Sequence, residues 1–266
     1  MKTITKRYPL YSRRMMIIAF FVFLVFSCSK NNDNPSTKTV IFCGSIDWTN
    51  TLGQSGYFKG GLTNAIFGLT SVKLNSTTLV FNRDASGHIM NDNLGNTFTY
   101  DKENLVKIVT GTATGLITFT FDTNSHLTQT HVQSQDANGS NELTLNYTYD
   151  TNGDPVKITG LGVLISSSGT TTANYDITAD YLTSKDNFLP LLPELAPFTP
   201  EFAYSWFLST HLINKWLIKI TTTAGGQTIT SDITQQYTYT YNTDGKVATM
   251  WHSSNNIYTF TYSGCN

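Results

Sequence analysis

The sequence predicts an all-β chain: an antiparallel meander of repeated hairpins, folded into a strongly curved or barrel-like sheet, with one short helix near 200–210. Three observations predict it. Charged residues make up only 13% of the 266 residues, against roughly 25% in an average domain, and Thr, Ser, Asn and Gly fill the polar role instead. The 14 Tyr and 16 Phe favour pleated, half-buried surfaces. Apolar and hydroxyl side chains then alternate with a period of two between tight-turn signatures, the pattern of an antiparallel strand with one dry face.

In chain order, residues 1–14 carry Lys2, Lys6, Arg7, Arg13 and Arg14 and no acid, and the apolar run Met15–Phe26 follows. A basic segment, a short apolar run and the small Ser27 form a secretory signal. Twelve apolar residues are too few for an ordinary membrane-spanning helix, which needs roughly 17–25. Val25-Phe26-Ser27-Cys28 resembles the bacterial lipobox, with Phe26 larger than the residue usual there. The resemblance implies cleavage before Cys28 and its lipidation. The competing readings are a soluble secreted chain and an uncleaved anchor. Residues 28–39 are then the lipidated cysteine and a tether, because Asn31, Asn32, Asp33, Asn34 and Pro35 cannot bury a core. Ser29-Lys30-Asn31-Asn32-Asp33 is similar to the surface-export signals of some gram-negative lipoproteins, so an outer-membrane anchor facing either the periplasm or the outside fits. Residues 40–266 are expected to form a single β domain, since all-β folds often run to roughly 200–250 residues as one unit.

Five of the 17 basic residues and none of the 18 acidic ones lie in residues 1–27, so the remainder carries 12 against 18, a net −6. That balance argues against nucleic acid as a partner. Cys43 and Cys265 stand at the two ends of the domain and either pair in an oxidising compartment or remain free thiols.

One hairpin unit recurs: an aromatic strand, Asp or Asn, two residues, a turn residue, then an apolar strand. It runs from Asp84 to Gly87, Asp101 to Asn104, Asp122 to Ser125, Asp150 to Gly153 and Asn242 to Gly245. The first side chain can accept a hydrogen bond from the backbone two residues on. The fourth residue can take the left-handed conformation that closes a type I turn with a bulge. Spacings of 17, 21 and 28 residues between the first four turns argue against a strict solenoid. Incoming strands alternate cleanly: Leu143, Leu145, Tyr147 and Tyr149 against Thr144, Asn146 and Thr148, and Tyr237, Tyr239 and Tyr241 against Thr238 and Thr240.

A Pro-rich insert at about 188–211 interrupts the pattern, with Pro190, Pro193, Pro197 and Pro200. Thr199-Pro200-Glu201 reads as a helix start, with Phe202 and Trp206 one turn apart as core residues. Strand resumes over 212–223.

The Tyr-x-Tyr-Asp-x-x-Gly units resemble the YD repeats of Rhs-type proteins. Together with the lipobox and the insert, they also resemble a gram-negative, Bacteroidetes-type lipoprotein family of unknown function with a porin-like β fold. The resemblance covers roughly residues 40–262. It implies a curved or barrel-like sheet, no catalytic residues, and a lean toward carbohydrate binding.

The chain lacks a serine-hydrolase elbow, a zinc-protease helix motif, a phosphate loop and paired CxxC motifs, so no cofactor is expected. His88, His126, His131, His211 and His252 are scattered, and His126 and His131 are set to face opposite ways. Asp136–Glu142 and Asp150–Asp154 hold oxygen ligands near a glycine without full calcium-loop spacing. Trp48, Tyr57, Phe58, Trp216 and Trp251 are candidates for stacking on a ligand, weighed against a core role. The leading functional reading is a non-enzymatic envelope module that binds a glycan or another envelope protein. The alternative is a glycan-active hydrolase built from dispersed carboxylates, drawn from Asp47, Asp92, Asp176, Asp180 and Glu194. A membrane-spanning barrel is the third reading.

Overall fold

The computed structural model describes residues 44–63, 66–74, 77–102, 104–109, 114–137, 139–186, 209–252 and 256–264. These residues form sixteen strands. The first eight are β1 (Ser45–Asn50), β2 (Ser55–Thr63), β3 (Ile66–Leu74), β4 (Thr77–Arg83), β5 (Ile89–Asp92), β6 (Thr97–Asp101), β7 (Asn104–Val109) and β8 (Thr114–Phe121). The rest are β9 (Leu127–Asp136), β10 (Gly139–Tyr149), β11 (Pro155–Ser166), β12 (Gly169–Asp186), β13 (His211–Ala224), β14 (Gln227–Tyr241), β15 (Val247–His252) and β16 (Asn256–Ser263). Each strand pairs antiparallel with the next, and β1 pairs with β16, so the meander closes into a barrel. The expected helix near 200–210 falls outside the described residues except for Ser209 and Thr210, which are irregular. Glu194 also lies outside them.

The alternation is realised with its apolar side inward. On β10, Leu145 and Tyr147 are buried while Asn146 and Thr148 are exposed. On β12 and β13, Ile177, Trp216 and Ile218 are buried, and Asp176, Thr178, Asp180 and Lys219 face out. The outer wall carries threonine ladders and an ion pair, Lys157 to Asp176 at 3.5 Å. A barrel that crosses a membrane needs an apolar outer band and admits a polar interior. Here the interior is filled with apolar side chains, although the outer wall also exposes Val80, Leu161 and Leu217, and the filled interior argues against the membrane-spanning reading.

Sixteen strands can enclose a lumen, but here the lower barrel is filled. Val72, Ile89, Leu105, Ile117 and Leu145 have no solvent exposure. Two clusters fill it, one around β7–β13 and one around β1–β5, and they share Phe98, Tyr100, Tyr239, Tyr258 and Phe260. Opposite walls therefore pack together over the shared aromatics.

The turns explain the recurring unit. At Asp84, Asp122, Asp150 and Asn242 the side-chain oxygen accepts N–H bonds from the residues two and four positions on, at 2.8–3.0 Å. Gly87, Gly153 and Gly245 take φ of 88°, 81° and 77°. A register shift at each turn marks the bulge. Tyr241, at the turn end of β14, is more exposed than Tyr237 and Tyr239, and the Lys185 ammonium lies 4.7 Å from its ring centroid. The Asp101 unit folds differently. Asp101 pairs directly with Asn104, and Lys102 rather than Asn104 holds the positive φ, at 55°. The bulge keeps its place, between Thr99 and Tyr100, but the connection is one residue shorter.

All five of these turns lie at one pole, together with Gly44, Gly264 and the ends of β12 and β13 that flank the insert. Tyrosine seals that pole. The hydroxyls of Tyr149, Tyr181, Tyr239 and Tyr262 donate to the carbonyls of Leu127, Pro155, Ile213 and Val247 on the preceding strand, at 2.8–3.0 Å. Phenylalanine could fill the space but could not make the bond.

Candidate binding face

The strands are unequal in length. The long strands β9–β14 rise above the rim formed by the short ones, as a curved flap at the pole opposite the turns. The clearest sign is β14: residues 227–236 pair with β13, and the described ladder to β15 starts at Tyr237. Ten residues extend roughly 30 Å at about 3.3 Å each.

The flap's inner face continues the apolar face of the barrel. Register carries one row across Val132, Leu143, Gly162, Ala173, Thr222 and Ile229. The row below it runs through Leu145, Gly160, Tyr175, Ile220 and Ser231. Two glycines shape this shelf. A Cβ on Gly160 would sit 2.5 Å from Leu145 Cδ2, and one on Gly162 would sit 3.5 Å from the Tyr175 ring. Their absence lets Leu145 and Tyr175 lie close to the β11 backbone. Exposure rises along the shelf, from none at Leu145 to 42% at Ile233 and 66% at Ile229. The face that makes the core below is thus left half open above, and its exposed apolar side chains make it the candidate binding face.

The turn residues named from sequence gather at the opposite pole, where they hold backbone rather than ligand. The stacking candidates do not come together. Trp48, Phe58 and Trp216 are buried in the barrel, which corrects their reading as ligand platforms. Trp48 packs over Gly56 and against Tyr258, with ring centroids 5.7 Å apart. Tyr57 is half-buried on the outer wall beside Lys59, whose Nζ lies 4.5 Å from its ring centroid. Trp251 is exposed on β15, cross-strand from Ile257 and separated from Tyr57 on β2 by β16 and β1.

The carboxylates proposed for hydrolysis also stand apart. Asp47 accepts a bond from Ser45 on the outer wall, Asp176 pairs with Lys157, and Asp180 is exposed four residues along the same strand. Asp92 is a turn residue. Its side chain accepts bonds from the Leu94 and Asn96 backbone, and Gly95 takes a φ of 82°. Asn50 does the same toward Leu52 and Gln54. These two copies, Asn50-Thr-Leu-Gly53 and Asp92-Asn-Leu-Gly95, carry the same Asx-x-x-Gly spacing as the recurring unit. Asp136 accepts a bond from the Gly139 N–H, and Asp150 caps its own turn, so both oxygen-rich loops use their carboxylates on backbone.

The histidines divide. His88 and His126 stack on Tyr100 and Tyr149 at 4.4 and 4.8 Å. His131 lies on the outer wall, 3.0 Å from the Thr144 hydroxyl. His211 meets the buried Asp154, a pair that no sequence spacing signals because 57 residues separate them. The side chain of His252, together with Cys28, Cys43 and Cys265, lies outside the described residues. Burial raises the hydroxyl pKa of Tyr147, Tyr149, Tyr239 and Tyr262 well above the ordinary range, so they act as neutral hydrogen-bonding groups, Tyr147 toward Thr130 and the others at the turn pole.

No protein-family model matches the chain, and no curated protein matches it. Among solved structures, a porin-like protein from Bacteroides vulgatus is 9% identical, with a TM-score of 0.46, over 84% of this chain and 99% of that chain. A porin-like protein from Bacteroides uniformis is 16% identical, with a TM-score of 0.38, over 83% of this chain and 98% of that chain.

Proposed function

We propose that this chain is a lipid-anchored cell-envelope protein that serves as a non-enzymatic binding module and takes an apolar ligand on the concave shelf of its flap. The observation that carries the reading is the shelf itself, where the core-forming face of β9–β14 runs on past the rim with Ile233 and Ile229 increasingly exposed. Anchor and shelf are also well placed for each other. The described chain enters at Gly44 on the turn pole, hydrogen-bonded to Gly264 at 3.0 Å. Gly44 lies sixteen positions after Cys28, a span that reaches at most about 55 Å when extended. A lipid on Cys28 would therefore attach the chain from the turn-pole side, the pole opposite the flap. Glycan stacking has less support, since Trp48 and Trp216 are inside and Tyr57 and Trp251 share no surface. Hydrolysis by paired carboxylates has less still, given the placements above.

Two measurements test this. Cys28→Ala should move the protein out of the membrane fraction. A chain with residues 1–28 replaced by a plain secretory leader should bind a fluorescent fatty acid in detergent-free buffer. Ile229→Ser with Ile233→Ser should weaken that binding about tenfold, because partial burial of two Ile side chains contributes on the order of 1.4 kcal/mol. Absence of fatty-acid binding, or binding indifferent to the double substitution, rejects the shelf as the site.

A further inference from the structure

We propose that two copies of this chain associate through the upper edge of β14, pairing β14 with β14 antiparallel about a two-fold axis at Thr230. The inference is independent of what occupies the shelf.

The edge is defined by hydrogen-bond phase. Gly225 and Gly226 form a two-residue turn, with φ of 57° and 77°, between the paired Ala224 and Gln227. In such a hairpin the residues flanking the turn exchange both backbone bonds, and successive pairs alternate. Ile229, Ser231 and Ile233 therefore bond to β13, whereas Thr228, Thr230 and Asp232 turn their N–H and C=O groups to the other side. The side chains agree: Thr223 and Thr228 hydroxyls lie 2.9 Å apart, and those of Thr221 and Thr230 3.2 Å apart, as the closer non-hydrogen-bonded pairs allow. Among the described residues, no strand pairs with that side of Thr228, Thr230 or Asp232.

A free edge is normally guarded by lysine, proline, a bulge or a covering segment. Residues 227–236 contain no lysine, arginine or proline, and pair with β13 without a register shift. They are rich in Thr and Ile, which favour strand pairing. The one charge, Asp232, faces Lys219 across the ladder.

Self-pairing is favoured because the edge complements itself. With the axis at Thr230, Thr230 faces Thr230 of the other copy and Thr228 faces Asp232. Thr234 and Gln236, next in the same phase, already have partners; this register uses Thr228, Thr230 and Asp232 together and forms six backbone bonds. It keeps the two Asp232 side chains apart and brings the two exposed Ile229 side chains to diagonal positions on the concave face, within reach of each other. The contact closes on itself, so it makes a dimer and not a filament. Its area is small, but copies tethered to one membrane meet at a raised effective concentration.

The test is cysteine cross-linking of the full anchored chain in the envelope of producing cells, in a background with Cys43 and Cys265 replaced by serine. Thr230→Cys places two thiols at a pair with Cα atoms about 5.5 Å apart, inside disulfide range. Thr228→Cys with Asp232→Cys does so on both sides of the axis. Both should give a covalent dimer on non-reducing gels. Thr221→Cys, one strand further in, places its thiols roughly 14 Å apart and should not. Monomer from both edge variants, or equal cross-linking from Thr221→Cys, overturns the proposal.

Discussion

His211 Nδ1 lies 2.7 Å from Oδ2 of Asp154, a carboxylate with no solvent exposure. The other oxygen of Asp154 accepts the backbone N–H groups of Thr210 and His211, at 2.7 and 3.0 Å. This one side chain ties the turn after β10 to the start of β13, where the chain re-enters the barrel from the insert. Asp154→Ala should lower the unfolding free energy by about 2–4 kcal/mol, because it strips three donors of their acceptor. His211→Ala should cost less, since two backbone donors remain, and the double variant less than the sum. Urea unfolding followed by tryptophan fluorescence measures all three. An unchanged midpoint for Asp154→Ala excludes this role.

Ser125 holds a φ of 65°, where the equivalent residues are glycines. A side chain there costs roughly 1–2 kcal/mol relative to glycine. Ser125→Gly should therefore stabilise the barrel by about 1 kcal/mol, despite glycine's greater freedom in the unfolded chain. Gly153→Ala, at φ 81°, should destabilise it by a similar amount. Opposite shifts in melting temperature are the signature, and a loss at Ser125→Gly counts against the turn assignment.

Tyr149, Tyr239 and Tyr262 have hydroxyl pKa values raised, first of all by burial. An acid whose pKa rises on folding is kept neutral in the native state. The stability it contributes is fully present below the unfolded value of about 10 and is lost as pH climbs toward the folded value. Absorbance at 295 nm should show these tyrosines ionising only as the fold opens in alkali. Tyr149→Phe and Tyr239→Phe should each cost about 0.5–1.5 kcal/mol at neutral pH, from the bonds to Leu127 and Ile213.

For Asp122, burial pushes the carboxyl pKa up, but the N–H groups of His126 and Asn124 and the His126 ring outweigh it, so the value falls below the ordinary one. A lowered carboxylate pKa contributes stability present above about 4 and lost as pH falls through the folded value. Asp122→Asn keeps the acceptor oxygen, as Asn242 does naturally in its own turn. It should flatten the acid limb of stability against pH while changing little at pH 7. An acid limb as steep as in the parent chain argues that Asp122 has no part in it.

Gly44 and Gly264 are hydrogen-bonded neighbours, and each is next in sequence to a cysteine, Cys43 and Cys265. We propose a disulfide between these two cysteines in an oxidising compartment. Thiol labelling of the denatured, unreduced protein should find neither free. Replacing both with serine should cost about 2–5 kcal/mol, as expected for a cross-link closing so long a loop. Two reactive thiols would end the idea.

Several features were legible from short-range pattern alone. Asp84, Asp122, Asp150 and Asn242 announce their turns because the bond from side-chain oxygen to backbone N–H spans only two to four residues. The Asp101 unit was misread in detail, since Asn104 is compatible both with a left-handed turn position and with the first position of a strand. Asn50 and Asp92 carry the same Asx-x-x-Gly signal, and their turns lie at the other pole, between β1 and β2 and between β5 and β6. The shelf was not legible: Tyr175, Ile220 and Ile229 become neighbours through register across β12, β13 and β14, and strand length relative to the rim decides which of them stay open.

What the sequence determined by itself was a set of amphipathic strands and the bends between them, since a period of two and an Asx-capped turn are properties of a few consecutive residues. Alternation marks two faces without saying which one a closed ring will turn inward, because a membrane barrel and a water-facing barrel share that period. Only the tertiary structure decided that the apolar face fills the interior, that β1 meets β16, and that β14 outruns β15 to leave a shelf and an unpaired edge. Those outcomes depend on contacts between residues far apart in the chain, whose free energies are settled only when all sixteen strands are in place.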